Sequence, residues 1–130
     1  MTRVTVVNDN PDFLDLMHDI LEDERYDTTT IDGDRPDAIE GIVASRPDVL
    51  VIDLRMGTEE LHGWAVAKQV RQDDRFTNLP VLLCSADIVA LHDIEEEMAE
   101  QHRVRSIQKP FSIEQLTEAI DELITAPVKR

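Results

Sequence analysis

Side chains that can bind cations and anions stand directly after four separate apolar runs of this 130-residue chain. They are Asn8 and Asp9, then Asp53, Ser85 and Lys109. If they share one crevice, two carboxylates about 5 Å apart repel by about 3 kcal/mol at an effective dielectric near 20, so the pair favours a bound cation. Oxygen ligands favour Mg²⁺, and a hydroxyl beside an ammonium group suits a tetrahedral anion. Together these groups predict phosphoryl transfer with a carboxylate, Asp53, as the nucleophile.

The apolar runs alternate with amphipathic patterns, which predicts a β-α unit repeated five times. The run before Asp53 contains no polar residue, as expected of a strand buried on both faces. The first helix begins at Asn10-Pro11, an N-cap residue followed by proline. This alternation predicts a doubly wound parallel sheet with helices on both faces, which brings the carboxyl ends of the strands to one edge. Strands are predicted at residues 3–8, 26–31, 48–53, 81–84 and 104–107, and helices at 11–23, 36–46, 64–72, 88–102 and 112–126.

Length and composition indicate one globular domain without a membrane segment. With 42% hydrophobic residues, the chain can bury one core and is not typical of disorder. No apolar run approaches the roughly eighteen residues of a membrane span. The N-terminus lacks the pattern of a secretion signal, so a cytoplasmic location is expected. Cys84 is predicted to be a buried thiol, because it lies inside an apolar run and a single cysteine cannot form an internal disulfide.

The charge balance argues against nucleic acid as a partner. The chain has 28 acidic and 13 basic residues, a formal net charge of −15. A surface this negative repels nucleic acid and anionic lipid, so neither direct nucleic-acid binding nor membrane insertion is expected. The histidines show no metal-ligand spacing, so we predict no zinc site at His18, His62, His92 or His102.

In their order and spacing, the strand-end residues resemble the receiver domain of bacterial-type two-component response regulators. The resemblance covers nearly the whole chain and is carried by Asn8-Asp9, by Asp53 in Val-Ile-Asp-Leu-Arg-Met, by Ser85-Ala86 and by Lys109-Pro110-Phe111. It implies a flavodoxin-like α/β fold with a five-stranded parallel sheet in the order 2-1-3-4-5 and five helices. It also implies a receiver domain over residues 1–126 and a short tail, 127–130, with no output domain.

The resemblance assigns a role to each strand-end position. It implies that Asp53 accepts a phosphoryl group from a histidine kinase or a histidine phosphotransfer protein. Asp9 and Asp53 would bind Mg²⁺ with the main-chain carbonyl of Arg55. Ser85 and Lys109 would each bind a phosphoryl oxygen.

Structural roles remain open for the same residues. Asp53 could simply open the turn after its strand, and Ser85 could be a helix N-cap. Asp9 could be a first-turn acid favoured by the helix dipole, and Lys109 a solvated side chain before a proline turn.

Three departures from the family pattern bear on function. Asn8 replaces the first of two acids and keeps an acceptor oxygen without a charge, so we predict weaker Mg²⁺ binding at this metal position. Gly57 replaces a proline and begins a loop, 57–63, that is about two residues longer than usual and could be a lid, a partner contact or a tolerated insertion. Ser106 replaces an aromatic residue, so output is expected to use another element, such as the helix over 88–102.

Two function classes follow, and neither is an enzyme in the ordinary sense. In the first, the chain is a stand-alone receiver with at most intrinsic self-phosphorylation and autodephosphorylation, which signals to a downstream protein as a monomer or weak dimer. In the second, it is a pseudo-receiver, a phosphorylation-independent protein-binding module, which Asn8 and Ser106 favour and the retained Asp53 opposes. A phosphatase with an aspartyl nucleophile is disfavoured, because Arg55 stands where a second acid would act as general acid.

Overall fold

The computed structural model describes residues 1–56 and 62–126, and their strands form one parallel sheet. The strands are β1 Arg3–Asn8, β2 Asp27–Asp32, β3 Val49–Asp53, β4 Val81–Ser85 and β5 Val104–Gln108. Across the sheet their order is β2-β1-β3-β4-β5, which confirms the predicted order. Gly57 with most of its predicted loop, and the tail at 127–130, lie outside the described residues.

Six helices are present in the described residues, where the sequence predicted five. They are α1 Pro11–Asp23, α2 Ala38–Ser45, α3 His62–Val70, α4 Ile88–Asp93, α5 Glu95–Glu100 and α6 Ile113–Thr125, with a 3₁₀ turn at Asp74–Phe76 before β4. The single helix predicted over 88–102 is wrong, because the chain leaves helical geometry at the buried Ile94 (φ −103°, ψ 3°). The break places three consecutive glutamates, residues 95–97, in the first turn of α5, where the helix dipole favours acidic side chains.

Capping contacts explain where the two helices on one face of the sheet begin. The Asn10 side chain accepts hydrogen bonds from the main-chain N–H groups of Asp12 and Phe13, at 2.9 and 3.3 Å, to start α1. Ser112 and Gln115 form the predicted capping box that starts α6. Each N-cap of this kind stabilises its helix by about 1 kcal/mol.

Apolar side chains pack on both faces of the sheet, because residues of a strand alternate between faces. Helices α1 and α6 cover one face, where Val51 and Leu82 lie. Helices α2, α3 and α4 cover the other, where Ile52 and Leu83 lie with the buried Trp64, as predicted for that tryptophan. At the edge, β2 is largely exposed, which confirms its prediction from a threonine-rich sequence. In the part of the chain that the structure describes, no helix is long and apolar enough to cross a membrane.

Candidate functional site

The carboxyl ends of β1, β3, β4 and β5 bring the predicted polar residues to one edge of the sheet. Asp53 ends β3 and is opposite Cys84 in the register with β4, while the N–H of Lys109 donates to the carbonyl oxygen of Ser85 at 2.9 Å. A cavity of about 370 Å³ opens there. Its lining residues are Asp53, Arg55, Ser85, Ala86, Asp87 and Lys109.

Two donors converge on one oxygen of Asp53. The Asn8 amide nitrogen, Nδ2, donates to Asp53 Oδ2 at 3.2 Å, and Lys109 Nζ donates to the same oxygen at 3.3 Å. Lys109 Nζ also lies 4.3 Å from the centroid of the Phe13 ring, a cation–π distance that fixes the ammonium group beside Asp53. Lys109 is therefore a partly buried side chain paired with Asp53, and the alternative of a solvated lysine is wrong.

Burial has the largest effect on the pKa of the Asp53 carboxyl group. Its side chain is 13% exposed, and this loss of solvation raises the pKa of Asp53 above its usual value of 3.8. The charge and hydrogen bond of Lys109 lower the pKa, the nearby Asp9 charge raises it, and the Asn8 hydrogen bond lowers it, with a net upward shift. The ionised form of Asp53 is thus poorly stabilised, even with an ammonium group beside it.

The Asn8 amide turns its nitrogen toward Asp53 and uses its oxygen elsewhere. Asn8 Oδ1 accepts a hydrogen bond from the main-chain N–H of Asn10 at 2.8 Å, and this contact fixes which end of the amide faces the carboxylate. An amide nitrogen that donates to a carboxylate is not a metal ligand. In this arrangement Asn8 therefore does not offer its acceptor oxygen to a cation beside Asp53.

A divalent cation fits this end of the sheet through a small set of oxygen ligands. The electrostatic repulsion of Asp53 by Asp9 would be relieved by a cation between them. Within residues 1–56 and 62–126, no group of three or more His, Cys, Asp or Glu side chains is arranged to hold a metal ion. The carboxylates of Asp9 and Asp53 remain, and so small a set of protein ligands suits a hydrated cation such as Mg²⁺ better than a metal that needs four protein ligands.

Ser85 is not the N-cap of α4, and the alternative role that its position allowed is wrong. The cap is Asp87, whose Oδ1 accepts from the N–H of Ala90 at 3.0 Å. The buried Ser85 hydroxyl accepts from the N–H of Asp87 at 2.9 Å, and a hydroxyl that accepts one hydrogen bond can still donate its own proton.

Asp87 and Gly63 are residues of this region that the sequence argument missed. Asp87 stands directly before an apolar run, the usual position of an N-cap aspartate, and this position is the signal that identifies it. Gly63 lies in the first turn of α3, where its N–H donates to the carbonyl oxygen of Leu54 at 3.0 Å. A Cβ at Gly63 would lie 1.8 Å from the carbonyl oxygen of Asp53, so only glycine lets α3 approach this closely.

Cys84 is buried beneath the cavity, which confirms the prediction of a buried thiol. Burial raises the pKa of Cys84 to about 12. The thiol is therefore protonated at neutral pH and has no nucleophilic role beside Asp53.

Comparison with known proteins gives consistent matches over almost the whole chain. The sequence model of the response regulator receiver domain matches residues 4–121. The hybrid signal transduction histidine kinase D of Dictyostelium discoideum is 30% identical over 125 residues, which are 94% of this chain and 8% of that protein. The polar-differentiation response regulator DivK of Brucella anthropi is 29% identical over 118 residues, 90% of this chain and 91% of DivK. The chain thus spans a small part of the kinase and nearly all of DivK.

Solved structures share the same fold. The chemotaxis protein CheY4 of Vibrio cholerae superposes with a TM-score of 0.81 at 22% identity, covering 95% of this chain and 98% of CheY4. The receiver domain of the sensor histidine kinase PA1611 of Pseudomonas aeruginosa has a TM-score of 0.77 at 21% identity, covering 96% of this chain and 98% of that one. That structure holds a magnesium ion in its active-site cleft.

Proposed function

Because the chain belongs to the response regulator receiver domain family, we propose that it accepts a phosphoryl group on Asp53 from a histidine kinase or a histidine phosphotransfer protein. One observation carries this proposal: Asp53 is a partly buried carboxylate with a raised pKa, 3.3 Å from Lys109, at the wall of a cavity. A pKa displaced by burial beside a specific charge partner is typical of a functional carboxylate.

The proposed step is a displacement at phosphorus. An oxygen of Asp53 forms an O–P bond while the N–P bond of the donor's phosphohistidine breaks, and the electron pair of that bond stays on the imidazole nitrogen. Since Oδ2 accepts from Asn8 and Lys109, we assign Oδ1 as the nucleophile. The Lys109 ammonium group and the Ser85 hydroxyl are the donors that stabilise charge on the phosphoryl oxygens.

We propose Mg²⁺ as the cofactor of this transfer. The carboxylates of Asp9 and Asp53 and the main-chain carbonyl of Arg55 would hold the cation. When bound, it supplies positive charge that offsets repulsion between the carboxylates and the incoming phosphoryl group. The magnesium-bound PA1611 receiver domain, which has the same fold, supports this choice. Because Asn8 brings an uncharged amide in place of an acid, we expect weak binding of the cation.

The chain is a phosphoacceptor, and its output is proposed to be contact with another protein. The match over 91% of DivK supports a receiver domain at residues 1–126 as the unit that makes this contact. With a net charge of −15, a direct nucleic-acid target is not expected. A cytoplasmic monomer or weak dimer is the form we propose for this receiver domain.

A pseudo-receiver that binds its partner without phosphorylation is the second candidate. Asn8 favours it, because the amide removes one of the charges that would hold a cation. Ser106 favours it as well, because a small hydroxyl replaces the aromatic residue expected in β5.

Phosphorylation by a small donor tests the two candidates. We expect the parent protein, incubated with acetyl phosphate and Mg²⁺, to gain the mass of one phosphoryl group, and Asp53→Asn to gain none. Asp34→Asn is the matched control, since Asp34 is an exposed aspartate that follows β2 at the same edge of the sheet. This variant should react like the parent, and chelation of Mg²⁺ should slow both.

Two results would count against the proposal. A parent protein that gains no phosphoryl group favours the pseudo-receiver. A gain that persists in Asp53→Asn shows that another residue is the acceptor.

A further inference from the structure

An ion pair lies among the residues that line the cavity at the carboxyl end of the sheet. Arg55 Nη1 and Asp87 Oδ2 lie 2.8 Å apart, and both side chains line the cavity that contains Asp53. The Arg55 side chain is 52% exposed and the Asp87 side chain 24% exposed. A guanidinium group in this position can move without disturbing the core.

Asp87 links this ion pair to the start of α4. Its second oxygen, Oδ1, caps α4 by accepting from the N–H of Ala90, and its own N–H donates to the Ser85 hydroxyl. The carboxylate therefore joins three parts of the molecule: the residues after β3, the end of β4 and the first turn of α4. Helix α4 is only six residues long, so its stability depends strongly on its cap.

A phosphoryl group on Asp53 would compete with Asp87 for Arg55. A phosphorylated side chain carries about −1.5 to −2 charges and three strong acceptor oxygens, whereas Asp87 carries one negative charge. Arginine binds phosphate oxygens through two parallel N–H···O bonds, and such charge-assisted pairs are stronger than neutral hydrogen bonds. Arg55 is already at the wall of the cavity that the phosphoryl group would enter.

We propose that Arg55 is a further phosphoryl-binding residue, which exchanges Asp87 for the phosphoryl oxygens when Asp53 is modified. The exchange leaves Asp87 without its cation and loosens the first turn of α4, where Ile88 and Val89 present exposed apolar side chains. This inference rests on the proposed function of Asp53. It gives the chain a route from the acceptor to the surface that does not need an aromatic ring at residue 106.

Two charge-removing variants distinguish partner exchange from a simple structural bridge. Arg55→Gln should slow phosphorylation by acetyl phosphate about three- to tenfold, because the anion loses a binding cation. Asp87→Asn should react at least as fast as the parent, because Arg55 is then free, and asparagine caps helices as well as aspartate does. Arg75→Gln is the matched control: its Arg–Asp pair has the same 2.8 Å separation at the opposite end of the sheet.

Hydrogen exchange of the α4 amides, residues 88–93, provides the second measurement. Phosphorylation should increase their exchange rates in the parent about three- to tenfold, the change expected when a capped turn loses a supporting charge. Exchange in Arg55→Gln should be faster before phosphorylation and should not increase further. Asp87→Asn keeps the cap of α4, so its exchange should show no increase on phosphorylation. The Arg75→Gln control should behave like the parent.

Each other result overturns the inference. If both variants slow phosphorylation equally, the pair is only a bridge that shapes the cavity. Hydrogen exchange of the α4 amides could be unchanged in a parent phosphorylated on Asp53. Arg55 then does not leave Asp87 for the phosphoryl group, although the proposed function stands. If the parent gains no phosphoryl group at all, the proposed function fails and this inference fails with it.

Discussion

Asp53 and Asp73 lie at opposite ends of the sheet, and each has a basic side chain beside it. At the carboxyl end, Asp53 is 3.3 Å from Lys109, yet burial raises its pKa. At the amino end, Asp73 is 2.8 Å from Arg75, and hydrogen bonds from the Arg75 side chain and main chain lower the pKa of Asp73 to about 2. A neighbouring basic side chain thus does not by itself determine whether the pKa of an aspartate is raised or lowered. Solvation decides it, because only Asp53 is withdrawn from water.

The two ends of the sheet also differ in how their charged side chains affect stability. At the amino end, Arg103 donates to the carbonyl oxygens of Ile124 and Ala126, at 2.9 and 3.0 Å, and to that of Asn78 at 3.3 Å. The bonds to Ile124 and Ala126 satisfy carbonyl groups that the end of α6 would otherwise leave without partners. At the carboxyl end, the partly buried Asp53 carboxylate lowers stability when it is ionised, because its pKa is raised in the folded protein.

The largest effect on stability is expected from a substitution of Arg103. Arg103→Met should keep most of the aliphatic packing but remove the donors to three carbonyl groups, and so lower the free energy of unfolding by about 2–3 kcal/mol. Arg25→Met is the control, because Arg25 is exposed and also has a positive φ, 70° against 56° for Arg103. Urea unfolding measures both. Equal losses in the two variants would show that the capping bonds contribute nothing.

The next largest effect is a gain in the free energy of unfolding, and we expect it at Asp53. Asp53→Asn should raise the free energy of unfolding at pH 7, because it removes a carboxylate whose ionised form is destabilised by folding. Since the folded pKa is raised, the penalty is absent below the unfolded value of 3.8 and complete above the folded value. The gain should therefore grow as the pH rises through this window. A gain that is equal at pH 3.5 and pH 7 would contradict the assigned cause.

The sheet and most helix starts could be predicted because they depend on local chemistry. An unbroken apolar run identifies β3, and Asn10 or Ser112 identifies the start of a helix from neighbouring residues alone. The division between α4 and α5 could not be predicted, because apolar residues continue at helical spacing through Ile94. Its cause is the burial of one side chain together with the placement of three glutamates at a new helix start.

The positions of the site residues could be predicted, but their side-chain contacts could not. Parallel strands necessarily bring their carboxyl ends together, so the positions of Asp53, Ser85 and Lys109 follow from the order of the strands. The orientation of the Asn8 amide depends on a bond to Asn10 that spacing does not reveal. The pair between Arg55 and Asp87 joins residues 32 positions apart, and only the folded chain places them 2.8 Å from each other.

The smallest effect on stability is expected at Arg75, although its effect on a pKa is clear. Arg75→Gln should bring the pKa of Asp73 from about 2 back toward 3.8, measured by NMR titration of the carboxyl carbon. A lowered pKa means that the pair adds stability above pH 3.8 and loses it as the pH falls toward 2, the reverse of Asp53. Because the Arg75 side chain is 62% exposed, water screens the pair, and the melting temperature at pH 7 should be almost unchanged. An Asp73 pKa that stays near 2 in this variant would show that the main-chain N–H alone holds the carboxylate, and the contrast with Asp53 would then not depend on a cation.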